Sequence, residues 1–231
     1  MTSRAQVLDA LGKVYDPELD EPITSLQFVS SCDVSPDGDV DVRLRLPTPQ
    51  CAPNFAYLMA ADARNAVLRL PAVRDVTVVL EDHYTGDEIN AAVGRGEAFA
   101  QAFPGETEGG LDALRELFYR KALVARQSRL CEALLAEGAS HEEVTERRVA
   151  DLPDDQEARR CIELRAHLGL ARDADAPAFV RPDGEPIAAA DLRHWLRIAR
   201  LVCLSLETNG GICRSLLRVR YDVADPEEVA A

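Results

Sequence analysis

Apolar positions recur in one style up to about residue 86 and in another beyond it. Val7, Leu8, Leu11 and Val14 fall on one side of a helix over residues 3–14, with Ser3 as N-cap. Pro17 ends it, because a proline disfavours helix in the residue before it. Leu26 to Val34 then reads as a strand, and Val40 to Leu46 alternates apolar and polar strictly, as a half-buried strand does. Ser35-Pro36-Asp37-Gly38 between them predicts a hairpin turn. Pro47, Pro49 and Pro53 bar a further strand, and the spacing of Phe55, Leu58, Met59, Ala63, Ala66, Val67 and Leu70 predicts a helix capped by Asn54. A strand over residues 73–80 completes an α-β-β-α-β unit.

Beyond residue 86 the pattern is helical. Helices are expected over 86–103, over 111–137 with Gly138 at C′, after the capping box Ser140 to Glu143, and from Asp154 or Asp155 to Leu168. Asp183-Gly184 marks a small hairpin or loop. Residues 191–207 carry apolar side chains on both faces, including Ile198, Leu201 and Leu204, which predicts the buried centre of the bundle. Asn209-Gly210-Gly211 then reads as a break before a shorter helix over 212–221. The expected class is α+β, with a small domain over 1–86 followed by a mostly α-helical region over 87–231.

Composition narrows the function classes. Hydrophobic residues make up 47% of the 231, enough for a core, so the chain is not a disordered one. The formal net charge is −14, which argues against a nucleic-acid partner, since phosphate contact needs a basic surface. No apolar run reaches a membrane-spanning length, and the start lacks an apolar signal core. Six cysteines, none in a close pair, give neither a zinc ribbon nor a dense disulfide framework. A cytoplasmic protein with reduced thiols and no membrane association is expected.

Two places carry candidate chemistry. Asp16-Pro17-Glu18 sets two carboxylates on either side of a rigid proline, a pair able to ligate a cation. Cys51 lies in a proline-rich loop just before a helix, where unpaired amides and the helix dipole favour the thiolate, the form that ligates soft metals. In a sandwich of this kind both loops can meet at one edge. Elsewhere, Cys131, Cys161 and Cys203 sit in apolar helical stretches and read as small core residues. Cys213, beside a Gly-Gly turn, is the least inert-looking of the remaining thiols. His83 ends the last strand and can approach the same loops.

Val14-Tyr15-Asp16-Pro17-Glu18-Leu19, then Ile23 to Leu26, the hairpin, Pro49-Gln50-Cys51 before a helix, and Val73 to Val78 together resemble the SufT/PaaD-like iron–sulfur cluster assembly family. That family was long catalogued as domain of unknown function fifty-nine, and the resemblance covers roughly residues 4–82. It implies an α+β domain acting in cytosolic iron–sulfur cluster assembly or transfer, with PaaD-like members linked to maturation of a multicomponent oxygenase. The family's reactive cysteine falls on Cys51 and its acidic motif on Asp16, Pro17 and Glu18. The match departs at Pro47, where the family often has threonine, and at Gln27, where it commonly has glycine.

The resulting expectation is an accessory maturation factor rather than an enzyme. Cys51, with Asp16 and Glu18 as weaker ligands, would hold a transient iron–sulfur cluster or iron. One cysteine is short of the usual four ligands, so a homodimer, a cluster carrier or a client apo-metalloprotein would supply the rest. The alternative is a non-metal adaptor that docks a client through its helical region. A thiol enzyme using Cys51 ranks last, for want of a histidine partner near a motif.

Overall fold

The computed structural model describes residues 2–107 and 110–223. The chain is α+β, and it divides into two compact units, Met1–Asp112 with Asn209–Ala231, and Ala113–Thr208.

In the first unit, α1 (Arg4–Leu11) starts on a capping box between Ser3 and Gln6. A two-stranded ribbon follows, β1 (Tyr15–Asp16) against β2 (Glu21–Pro22), with Asp16 opposite Glu21. No alternating pattern announced it, because two residues are too few to carry one. A three-stranded sheet has the order β3 (Val29–Val34), β4 (Asp39–Arg45), β5 (Asp75–Glu81), with β3 antiparallel and β5 parallel to β4. The parallel register sets Val40, Val42 and Leu44 beside Val76, Val78 and Leu80, all buried on one face. That face is a continuous apolar strip because the side-chain period in both strands is two.

The crossover helix α2 (Pro53–Leu68) buries Ala56, Met59, Ala60, Ala63 and Val67. Its three alanines let the helix approach the sheet closely. Ala52 is its N-cap and Pro53 opens its first turn, while the Asn54 side chain accepts the neighbouring Phe55 amide instead of capping. The helix expected over 86–103 is two helices, α3 (Gly86–Arg95) and α4 (Phe99–Ala102), parted where Gly96 takes a left-handed conformation (φ 68°).

The second unit contains α5 (Asp112–Ala136) from Ala113 on, α6 (His141–Glu146) on the Ser140–Glu143 capping box, α7 (Gln156–His167) capped by Asp155, and the first part of α8 (Ala189–Tyr221). Its core gathers Leu123, Cys131, Cys161, Leu164, Phe179, Leu192 and Trp195. Cys131, Cys161 and Cys203 are buried, as apolar helical positions predict. Glu163 pairs with Arg160, and His167 stacks on Tyr119.

Helix α8 differs from its sequence reading in two respects. It runs unbroken through Asn209-Gly210-Gly211, since hydrogen bonds and packing on either side outweigh the roughly 1 kcal/mol that each internal glycine costs. Its apolar second face is not core. Ile198, Leu201 and Leu204 are 52%, 68% and 58% exposed, while the opposite side buries Leu192, Trp195 and Ala199.

Candidate functional site

Cys51 lies between β4 and the first turn of α2. Its side chain is half-buried against the core of the first unit. The loop holding it is tied to the end of β5 by two bonds: His83 Nε2 meets the Cys51 carbonyl at 2.8 Å, and the Tyr84 amide donates to the Pro49 carbonyl at 3.0 Å. The Thr85 amide donates to His83 Nδ1 at 3.3 Å. Nδ1 is therefore an acceptor and Nε2 carries the proton. Burial pushes the His83 pKa down, and the charge of Arg220 adds to that, so the ring is neutral at pH 7. Both ring nitrogens are engaged away from the sulfur, and the Cys–His pair a thiol enzyme needs is not formed.

The sulfur itself has Thr48 Oγ1 at 3.4 Å. The same oxygen accepts the Gln50 amide at 3.3 Å, which leaves the Thr48 hydroxyl proton free to turn to a thiolate.

The acidic loop is built differently. Asp16 is buried, and its Oδ1 accepts the amides of Glu18 at 2.8 Å and Leu19 at 3.0 Å. The proline between fixes the turn that aims both amides at one oxygen. Desolvation pushes the Asp16 pKa up to about 6, against the two amide bonds and with help from the charges of Glu18 and Glu21. An acid held in this state gains from any cation that reaches it.

The C-terminal part of α8 packs on this loop, which sequence reading missed. Asn209 Nδ2 reaches Glu18 Oε1 at 3.5 Å, and Arg214 Nη1 donates to both Glu21 oxygens at 2.9 and 2.7 Å. Leu217 is buried in the same core, and Arg220 Nη1 donates to the Leu46 carbonyl at 3.2 Å. The signal was present in the spacing. Asn209, Cys213, Leu217 and Tyr221 recur every four residues, one face of a helix that the Gly-Gly pair disguised.

Cys213 sits on that face. Burial pushes its thiol up to about 11, and the charges of Asp16, Cys51 and Glu18 all act on it in the same direction. Asp16, Glu18 and Cys51 thus all lie within electrostatic reach of Cys213. Neither acid is hydrogen-bonded to Cys51. Among the described residues no group of three or more His, Cys, Asp and Glu is arranged to hold a metal ion, and no helix is long and apolar enough to cross a membrane.

Residues 4–80 match a family model described as iron-sulfur cluster assembly protein. An iron-sulfur cluster carrier protein of Mycobacterium bovis is 42% identical over 77 residues, 33% of this chain and 20% of that protein. The carrier protein of Deinococcus radiodurans is 38% identical over 73 residues, 31% of this chain and 20% of the relative. The chain therefore spans about a fifth of the length of the carrier proteins it matches. An uncharacterized protein of Methanocaldococcus jannaschii is 32% identical over 90 residues, 39% of this chain and 93% of that protein. No solved structure gives a significant match.

Proposed function

Through residues 4–80 the chain belongs to the iron-sulfur cluster assembly protein family, and on that premise we propose that it is an accessory factor, not an enzyme, in iron–sulfur cluster assembly or transfer. The cluster, or iron on its way to one, is passing cargo, and Cys51 is its thiolate ligand. The observation that carries this reading is the Cys51 loop. A half-buried sulfur lies at the start of a sixteen-residue helix, beside a threonine hydroxyl, on a backbone clamped by His83. The helix N-terminus and the Thr48 hydroxyl place a positive dipole and a hydrogen-bonding group beside the sulfur that would meet the iron.

One sulfur is short of the four ligands such cargo usually takes. The remaining ligands come from a second copy of the chain, from a carrier, or from the client apo-metalloprotein that receives the cluster. Asp16 and Glu18 supply weaker oxygen ligands and a negative field for iron. Loading is a ligand exchange. The Cys51 proton passes to solvent, a sulfur–iron bond forms, a donor thiolate leaves, and no oxidation state changes. This chemistry needs reduced thiols, which fits the cytoplasm.

Anaerobic reconstitution of the full chain with ferrous iron and sulfide tests the reading. A visible absorption band with bound iron is expected, lost in Cys51→Ser while circular dichroism stays unchanged. A band that survives in Cys51→Ser, or no iron bound to the unaltered chain, overturns the assignment.

A further inference from the structure

The second unit contains a groove of about 490 Å³ between α5, α6 and α8, lined by Glu132, Leu135, His141, Arg193, Leu196, Arg197 and Arg200. That volume is within the range of ordinary binding sites. Its charge is unusual for this chain. Three arginines face one carboxylate in a protein of net charge −14. Elsewhere in the same unit Arg120, Arg126, Arg129, Arg159, Arg160 and Arg181 each hold an acidic side chain. Arg193 and Arg200 have no such partner among the described residues, and Arg197 contacts the His194 ring at 2.9 Å.

The geometry narrows the occupant. At positions i, i+4 and i+7 of one helix, the three arginines span about 10 Å along its axis. An extended row of cations of this kind offers each guanidinium its own anionic group. Carboxylates at the same spacing on an opposed helix supply such groups. The groove floor carries Leu135 and Leu196, and the exposed Leu201 and Leu204 continue the same side of α8. Apolar and cationic positions interleave, the complement of an amphipathic helix with an acidic flank.

We propose that this groove is a docking site for an acidic amphipathic helix of a partner protein. The site is distinct in chemistry from the Cys51 loop and works without metal. Its test therefore uses metal-free protein, and its failure leaves the cluster reading standing.

The probe is a fluorescein-labelled helical peptide with glutamates at i, i+4 and i+7 beside a row of leucines, read by fluorescence polarisation against the full chain. Saturable binding is expected. The triple variant Arg193→Glu, Arg197→Glu, Arg200→Glu should weaken it about tenfold to a hundredfold, as three half-exposed charge pairs are lost. Arg172→Glu, exposed in the same unit but outside the groove, should leave it unchanged. Should the triple variant lose its circular dichroism signal, Arg193→Gln with Arg200→Gln replaces it, with a severalfold loss expected. Equal affinity in the groove variants overturns the proposal. So does a peptide of the same composition with its glutamates respaced that binds as well, or inorganic pyrophosphate that binds where the peptide does not.

Discussion

Replacing Asp16 by asparagine should make the metal-free protein more stable at neutral pH. The carboxyl is 7% exposed, and burial raises its pKa from 3.8 to about 6. The folded state therefore holds this proton more tightly than the unfolded chain does. Below pH 4 both states carry it, and the group is neutral to stability. Between pH 4 and 6 the unfolded chain releases it first, so stability falls as pH rises. Above pH 6 the loss is complete, and a shift of this size corresponds to about 3 kcal/mol. Asparagine keeps the Oδ1 that accepts the Glu18 and Leu19 amides, though without the carboxylate charge that strengthens both bonds. The gain in Asp16→Asn at pH 7.5 is therefore up to about 3 kcal/mol, and near zero at pH 3.5.

Urea unfolding of both proteins in chelator, at half-unit steps from pH 3.5 to 8, measures the difference directly. The two curves should separate between pH 4 and 6 and run parallel above it. Curves that coincide throughout, or an asparagine variant less stable at pH 7.5, would refute the burial argument. The same substitution should weaken ferrous iron retention, because it removes an anion that a cation would relieve.

Two further substitutions probe the backbone around the site. Gly38 closes the β3–β4 turn at φ 88°, and a Cβ there would stand 2.5 Å from the Ala72 carbonyl. Gly38→Ala is expected to cost about 2–3 kcal/mol, read as a lower urea midpoint. Gln27 sits at φ 58°, where a side chain is strained. Gln27→Gly relieves that strain but also alters a residue that has a further interaction, so its net effect in the same assay should stay within about 1 kcal/mol of zero, and a larger change either way would refute this balance.

Gln27 also illustrates how much of the site was legible in the sequence. Its family counterpart is commonly glycine, and the left-handed backbone supplies the reason. The alternation in Val40 to Leu44 and the spacing of Met59, Ala63 and Val67 located the sheet and its crossover helix, because each element buries one face and its period records that face. Asp16 and Cys51 stood out for local reasons, a proline and a helix start, and local reasons travel well in sequence. What did not travel was long-range. Nothing near Glu21 announces Arg214, and the glycines after Asn209 read as a break although tertiary contacts carry the helix through. Ile198, Leu201 and Leu204 misled in the opposite sense, since an apolar side chain records an affinity and not the surface that satisfies it.

The order of synthesis gives α8 a last consequence. Residues Asn209 to Tyr221 brace the acidic loop and the Leu46 carbonyl, yet the ribosome makes them after the entire helical unit. A nascent chain that has already exposed Cys51 still lacks the brace. Support of the acidic loop is thereby deferred until the helical unit has been made, and a product cut short within that unit keeps the Asp16-Pro17-Glu18 motif while losing its brace.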